Sequence, residues 1–259
     1  MKNTIGVLPA AGLGSRLRPF RYPKELLPIL FMLDRQSGGA RPMVAAEYSL
    51  AAMREAGIKR CIVVIHEGKS EILKCFGDGA ELGMSLVYAV QSRPAGLPQA
   101  IHAAGDWLHG ANVCLALPDT VFRPRGAIGM ICEKRKRTDA DLVLGVFPTS
   151  EPQHLGPVRM ADDGRVIEVQ DKPAATDLAN TWGIAVWSPR FTNLLNQYVE
   201  AWAAEGSGGK EHPLGEVFEE AVRSDFRVDS VFFAGGDYLD VGKPEGIGSI
   251  ILEKSLWWS

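Results

Sequence analysis

The 259-residue chain has little cysteine: Cys61, Cys75, Cys114 and Cys132 stand far apart, with no Cys-x-x-Cys pair. That spacing offers neither a disulfide framework nor a zinc site. Cys61 and Cys114 fall in apolar runs that read as buried strands, so reduced thiols and a cytoplasmic setting are expected. The five histidines are scattered without metal-ligand spacing. No apolar run approaches the ~20 residues that a membrane span needs. The N-terminus carries one lysine, then an apolar stretch holding Pro9 that runs into glycines, so no signal peptide is expected. A basic excess is missing too: 28 Lys and Arg against 31 Asp and Glu leave a formal net charge of -3. This disfavours a nucleic-acid partner but allows a local basic pocket for a small anion. There is no internal repeat. With 46% hydrophobic and 23% charged residues, collagen-like, disordered and coiled-coil readings are excluded.

What is present is a β-α alternation. Apolar runs at 4–9, 60–66, 85–90, 112–117 and 142–148 read as strands. Helix-period segments at 42–56, 69–76, 99–108 and 127–136 lie between or after them. Strands that are apolar throughout argue for a parallel sheet covered on both faces. The pattern then changes. Segments 158–160 and 165–169 flank Ala161-Asp162-Asp163-Gly164, a hairpin signal. A strand at 181–187, a helix at 191–204, a Gly-rich loop at 206–209, a helix at 214–223, a strand at 227–233 and a last helix at 244–256 complete the chain. The Lys134–Arg137 run reads as a solvated helix end.

The first strand leads into Pro9-Ala10-Ala11-Gly12-Leu13-Gly14-Ser15-Arg16. Small residues and glycines let the backbone approach a ligand, and a run of N–H groups can cradle phosphates. A tight packing turn accounts for the loop equally well. The spacing fits neither a dinucleotide fingerprint, since Leu17 stands where the third glycine belongs, nor a Walker loop. Arg16, Arg18, Arg21 and Lys24 follow closely. Arg18 and Arg21 read as solvated surface cations. Lys24, held between Pro23 and Leu26-Leu27-Pro28-Ile29, is better placed for a fixed role. Asp119 follows an apolar strand and a proline, where open α/β sheets place ligands, although a turn or N-cap aspartate looks the same. Asp240, in Tyr238-Leu239-Asp240-Val241-Gly242, occupies a similar strand-to-turn boundary. Two carboxylates from distant segments suit Mg²⁺, a hard cation that takes few protein ligands and several phosphate oxygens.

Ala11-Gly12-Leu13-Gly14-Ser15-Arg16-Leu17-x-Pro19, followed by Pro23-Lys24-Glu25-Leu26-Leu27-Pro28, resembles the signature of the sugar-1-phosphate nucleotidyltransferases. The opening is similar to the glucose-1-phosphate uridylyltransferases. Gly77-Asp78-Gly79, Leu82–Gln91 and Pro94-Ala95-Gly96-Leu97-Pro98-Gln99-Ala100 are more similar to the thymidylyltransferases. The resemblance runs from about residue 5 to about 251. It implies an α/β fold with a Rossmann-like, mixed but mostly parallel sheet, helices on both faces and a small β-hairpin subregion for the sugar. It implies one domain over 1–259, with a nucleotide half to about 125, a sugar-phosphate half beyond it and no C-terminal regulatory domain.

The resemblance also implies roles. Arg16, Lys24 and Lys172 would be catalytic. Ala10, Ala11, Gly12, Gly14, Ser15, Gln91 and Gly96 would bind the nucleotide, with Gln91 and Gly96 on the pyrimidine base. Gly156, Asp171, Lys172 and Gly183 would bind the sugar phosphate. Asp119 and Asp240 would hold Mg²⁺. Gln170-Asp171-Lys172-Pro173 stands where the family has Glu-Glu-Lys-Pro, so the acid reaches one methylene less far; without the resemblance it reads as an exposed pair at a turn. The implied reaction joins a nucleoside triphosphate (dTTP or UTP) to a sugar 1-phosphate (glucose 1-phosphate) and releases pyrophosphate. The partners are those small molecules, with no nucleic acid and no membrane, and a homo-oligomer stays open. Two features depart from the family: the Arg16-to-Lys24 spacing is short, and 31–41 is a longer connection than usual. The altered Arg16–Lys24 loop motivates the alternative of a non-catalytic nucleotide or sugar-phosphate sensor. A nicotinamide-dependent oxidoreductase is disfavoured by the failed glycine spacing.

Overall fold

A computed structural model describes residues 3–243 and 246, except 13, 15–21, 34–38, 94 and 206–210. In chain order the regular elements begin with β1 (Thr4–Ala10), β2 (Pro28–Leu33), β3 (Ala40–Val44), α1 (Ala45–Glu55), β4 (Arg60–Ile65), α2 (Ser70–Phe76) and β5 (Ser85–Val90). They continue with α3 (Leu97–His102), β6 (Asn112–Ala116), β7 (Thr120–Arg123), α4 (Ala127–Thr138) and β8 (Leu142–Pro148). The remainder is β9 (Val158–Met160), β10 (Val166–Val169), β11 (Asn180–Trp187), α5 (Pro189–Ala204), α6 (Leu214–Arg223), β12 (Val228–Phe232) and β13 (Asp237–Asp240).

Seven strands form the central sheet in the order β12-β8-β11-β6-β1-β4-β5. β1 pairs in parallel with β4 (Gly6 with Cys61) and with β6 (Thr4 with Asn112). Only β11 runs antiparallel, to both β6 and β8. The α/β class with a mixed, mostly parallel sheet is therefore the observed fold. The strands read as apolar runs because both of their faces are covered. Successive side chains point to opposite faces. Leu8, Ala10, Cys61 and Val63 pack with α1, α2 and α4 on one side. Val7, Ile62, Val64 and Val113 pack with α3, α5 and α6 on the other. The β9–β10 hairpin forms where Ala161–Gly164 predicts it, with Gly164 at φ 84°. No helix among the described residues is long and apolar enough to cross a membrane.

Three local expectations are corrected. The helix expected from 42 begins at Ala45, because 40–44 is β3, paired with β2. The residue before a proline is pushed out of the α region, and Pro42 lacks an N–H, so Arg41-Pro42 extends rather than coils. Within the long 31–41 connection, residues 31–33 end β2 and residues 40 and 41 begin β3, its antiparallel partner. The helix expected at 99–108 is α3 plus a separate 3₁₀ turn, Gly105–Leu108, divided at Gly105 with φ 54°. β7 was not expected as a strand, and β13 was expected only as the strand-to-turn boundary at Asp240; they form a two-stranded ribbon of their own. The expected helix at 244–256 and the loop at 206–209 lie outside the described residues, save Gly246.

Candidate active site at the strand ends

The β7–β13 ribbon brings the two aspartates together. Asp119 sits between the C-terminal end of β6 and the start of β7, at the edge where open α/β sheets bind ligands. Asp240 ends β13, opposite Thr120, and Val241 N–H donates to the Asp119 carbonyl at 2.9 Å. Lys24 opens a 3₁₀ turn, Lys24–Leu26, and its Nζ donates to Asp119 Oδ2 in a short ion pair. The three groups converge on Gly242. A methyl group there would lie 2.8 Å from Asp119 Oδ2, 2.9 Å from Asp240 Oδ1 and 3.0 Å from Lys24 Nζ. Gly242 N–H also donates to Asp240 Oδ1 at 2.8 Å.

The charges shape one another. Burial pushes the Asp240 carboxyl above its ordinary range, Asp119 pushes it further, and the Gly242 N–H, Lys24 and Lys243 oppose the shift. For Lys24, burial alone would lower the ammonium. Asp119, with Glu25 and Asp240, outweighs burial and leaves its pKa raised, so the side chain is a full cation at neutral pH. Two carboxylates at one point, supplying only hard oxygen donors, fit a magnesium ion that completes its shell with phosphate oxygens and water. Among the described residues no group of three or more His, Cys, Asp or Glu side chains is arranged to hold a metal.

A cavity of about 400 Å³ opens from this cluster. Lys24, Asp119 and Asp240 line one end, and Gly156, Asp171, Lys172 and Thr181 line the other. The second end is held by backbone bonds. Lys172 N–H donates to Leu155 O at 2.8 Å, Gln170 N–H to Pro157 O at 2.9 Å and Trp182 N–H to Gly156 O at 2.9 Å. Gly156 N–H donates to Thr181 Oγ1 at 3.2 Å. Lys172 takes a left-handed backbone, φ 42°, which is uncommon for a lysine. Burial raises the Asp171 carboxyl, Glu216 adds to the shift and Lys172 opposes it. At Gly156 a side chain would collide with the Trp182 indole, so glycine is required by close approach.

The other expected site residues fall as follows. Ala10 ends β1 and is buried with Ala11, while Gly12 is exposed. Gly14, φ 64°, lies over the Lys24 stem. Ser15 and Arg16 lie outside the described residues. Gly96, φ 105°, lines the cavity, and residue 212 packs against its backbone. Gln91 is buried just beyond β5, its N–H donating to Ile65 O at 2.9 Å, and does not line the cavity. Gly183 also lies outside the lining; its missing side chain makes room for the Tyr238 ring.

Several lining residues were not singled out in the sequence. Tyr238 was quoted beside Asp240, and the period of two places both on one face of a strand. Trp182 had no signal beyond sitting next to Gly183. Glu211, His212, Pro213 and Leu214 follow the glycine-rich stretch and reach the cavity only through the fold. His212 stacks on Trp202 with ring centroids 3.9 Å apart.

Comparisons with known proteins bear on the family and the fold. The nucleotidyl transferase family model matches residues 5–253. The chain is 29% identical to the low-salt glycan biosynthesis nucleotidyltransferase Agl11 of Haloferax volcanii, over 97% of this chain and 67% of that protein. It is 33% identical to a glucose-1-phosphate thymidylyltransferase of an Actinoplanes species, over 65% of this chain and 52% of that protein. The chain spans about half the length of the curated thymidylyltransferases it matches. Among solved structures, a glucose-1-phosphate thymidylyltransferase assignment from Bacillus anthracis superposes with TM-score 0.80 at 17% identity, covering 99% of this chain and 97% of that one. A UTP-bound UGPase from Acinetobacter baumannii superposes with TM-score 0.77 at 20% identity, covering 98% and 94%. These two likenesses concern the fold.

Proposed function

The chain belongs to the nucleotidyl transferase family, and on that premise we propose that it transfers a nucleotidyl group from dTTP or UTP to a sugar 1-phosphate, with glucose 1-phosphate the favoured acceptor. The observation that carries the reading is the convergence of Lys24, Asp119 and Asp240 at one end of a cavity whose other end presents Asp171 and Lys172. In this reaction an oxygen of the sugar phosphate bonds to the α-phosphorus, and the bond from that phosphorus to the bridging oxygen breaks. Pyrophosphate carries the charge away. The nucleophile is already an anion, so no general base is required; positioning and charge neutralisation suffice.

Lys24 supplies a fixed positive charge at the reacting phosphates, and Lys172 orients the attacking phosphate. Asp171 accepts from sugar hydroxyls, with a shorter reach than glutamate. The Gly96 backbone meets the edge of a pyrimidine base. Arg16 holds the outer phosphates. Asp119 and Asp240 would hold Mg²⁺, which supplies a Lewis acid for phosphate oxygens. All four cysteines are free thiols, the state that a reducing cytoplasm maintains. The names of the relatives are those of transferases, so the sensor reading is not favoured.

The test is pyrophosphate release from a panel of nucleoside triphosphates and sugar 1-phosphates with Mg²⁺. Turnover with dTTP or UTP and glucose 1-phosphate is expected. Nucleotide binding without turnover of any pair would replace the reaction with the sensor reading.

A further inference from the structure

Beside the cavity, and outside its lining, lies a second charged pair. Glu25, the residue after Lys24, is 1% exposed, and Lys69 is 8% exposed. Lys69 Nζ donates to Glu25 Oε1 at 2.7 Å and to the backbone carbonyl of Ala10 at 2.9 Å. One ammonium therefore ties three segments: the end of β1 where the glycine loop begins, the 3₁₀ turn bearing Lys24, and the β4–α2 junction. Glu25 Oε2 is buried with no hydrogen-bond partner among the described residues.

A buried ion pair is poor evidence of stabilisation, since desolvating two charges costs several kcal/mol per ion and apolar replacements are often neutral. A pair kept at this junction calls for another use, and its position supplies one. Two carboxylates neighbour Lys24, Glu25 by sequence and Asp119 by tertiary contact. Lys69 engages Glu25, so Lys24 is left to Asp119 and to the cavity. The same ammonium fixes the Ala10 carbonyl at the end of β1.

We propose that Lys69 is a positioning residue for the transfer, holding Glu25 and the Ala10 carbonyl so that Lys24 is aimed at the reacting phosphates. This rests on the reaction reading above. Lys69 touches no substrate. A misplacement of the order of 1 Å at a reacting group can cost 10²-fold in rate, so the strut is expected to act on kcat.

The experiment compares Lys69→Met, Lys69→Arg, Glu25→Gln and the Glu25→Gln/Lys69→Met double variant with the wild type. Pyrophosphate release and thermal melting are measured on each. Lys69→Met is expected to lower kcat by about 10- to 100-fold while the sugar-phosphate KM stays within about twofold, because Asp171 and Lys172 are untouched. Lys69→Arg, which keeps the cation and can donate to both acceptors, restores most of the kcat. The double variant buries no orphan charge, so it melts close to the wild type yet keeps the low kcat. A folded Lys69→Met or double variant with kcat within about twofold of wild type overturns the strut alone. So does a loss that follows the melting temperature and is not rescued by arginine. A wild type that turns over no substrate pair overturns the reaction reading and the strut together.

Discussion

Lys24 and Asp119 are far apart in the sequence and touch in the fold, whereas Asp171 and Lys172 are sequence neighbours joined by no ion pair. Both pairs face one cavity. The first is clamped: the β7–β13 ribbon sets the aspartate, Glu25 and Lys69 set the turn carrying the lysine, and Gly242 lets three charged groups meet. The second is open: backbone bonds hold the loop, and the two side chains are left to the cavity. Lys172 has a left-handed φ of 42°. On the proposed reaction, one pair is already organised for charge that develops in a transition state. The other is arranged to be completed by a ligand.

The sharpest way to break this contrast is at the clamped end. Asp119→Asn and Lys24→Met are each expected to lower kcat by about 10²–10³-fold, roughly 3–4 kcal/mol of barrier, with little change in sugar-phosphate KM. Chelation of divalent metal should stop turnover, and added Mg²⁺ should restore it, measured by pyrophosphate release. At the open end, Lys172→Met should instead lose roughly 2–3 kcal/mol, the worth of charge-assisted contacts, mainly as a raised sugar-phosphate KM. Equal kcat losses from both ends would erase the distinction.

Two smaller effects sharpen it. Gly156→Ala drives a methyl group into the Trp182 indole. Overpacking of this kind costs about 1–3 kcal/mol, read as a melting temperature lower by roughly 3–8 °C. Gly242→Ala, by contrast, pushes apart Lys24, Asp119 and Asp240 and should cost turnover more than stability. The smallest effect is a stabilisation. Asp240 has a folded pKa raised by burial and by Asp119. The folded state thus holds its proton to higher pH than the unfolded state, and stability falls as pH rises through that window. Asp240→Asn removes the penalty, so near neutral pH it should melt about 1–2 °C higher than wild type while losing turnover. The gain should vanish as the pH falls into the ordinary aspartate range. A gain that persists at low pH would assign it to packing instead.

Legibility was uneven, for physical reasons. The strands 85–90 and 142–148 and the helix 214–223 appear at the expected residues, because apolar runs and helical periods report burial directly. Pro42 moved a helix start because local backbone sterics outweighed the apolar period. β7 was missed, and β13 was marked only by its end at Asp240, because four-residue strands in a separate ribbon have no length over which a period can show. At the site, Asp119 and Asp240 stood out at strand-to-turn boundaries, whereas Asp171 and Lys172 were singled out only by the family resemblance and otherwise read as an exposed pair at a turn. Trp182, His212 and Lys69 were not singled out. Each reaches its place by packing, and a tryptophan, histidine or lysine in an element carries no mark of what it will face.

The sequence by itself determined the α/β alternation, the position of the glycine loop at the first strand end and the kinds of charge available, since these follow from local polarity and backbone preference. Only the tertiary structure decided which charges meet. It placed Lys24 on Asp119 rather than on its neighbour Glu25, gave Glu25 to Lys69, and left Asp171 and Lys172 apart. Contacts between segments depend on how the sheet and its ribbons bring distant chain together. Electrostatic energy depends on those distances and on burial, neither of which a linear order of residues contains.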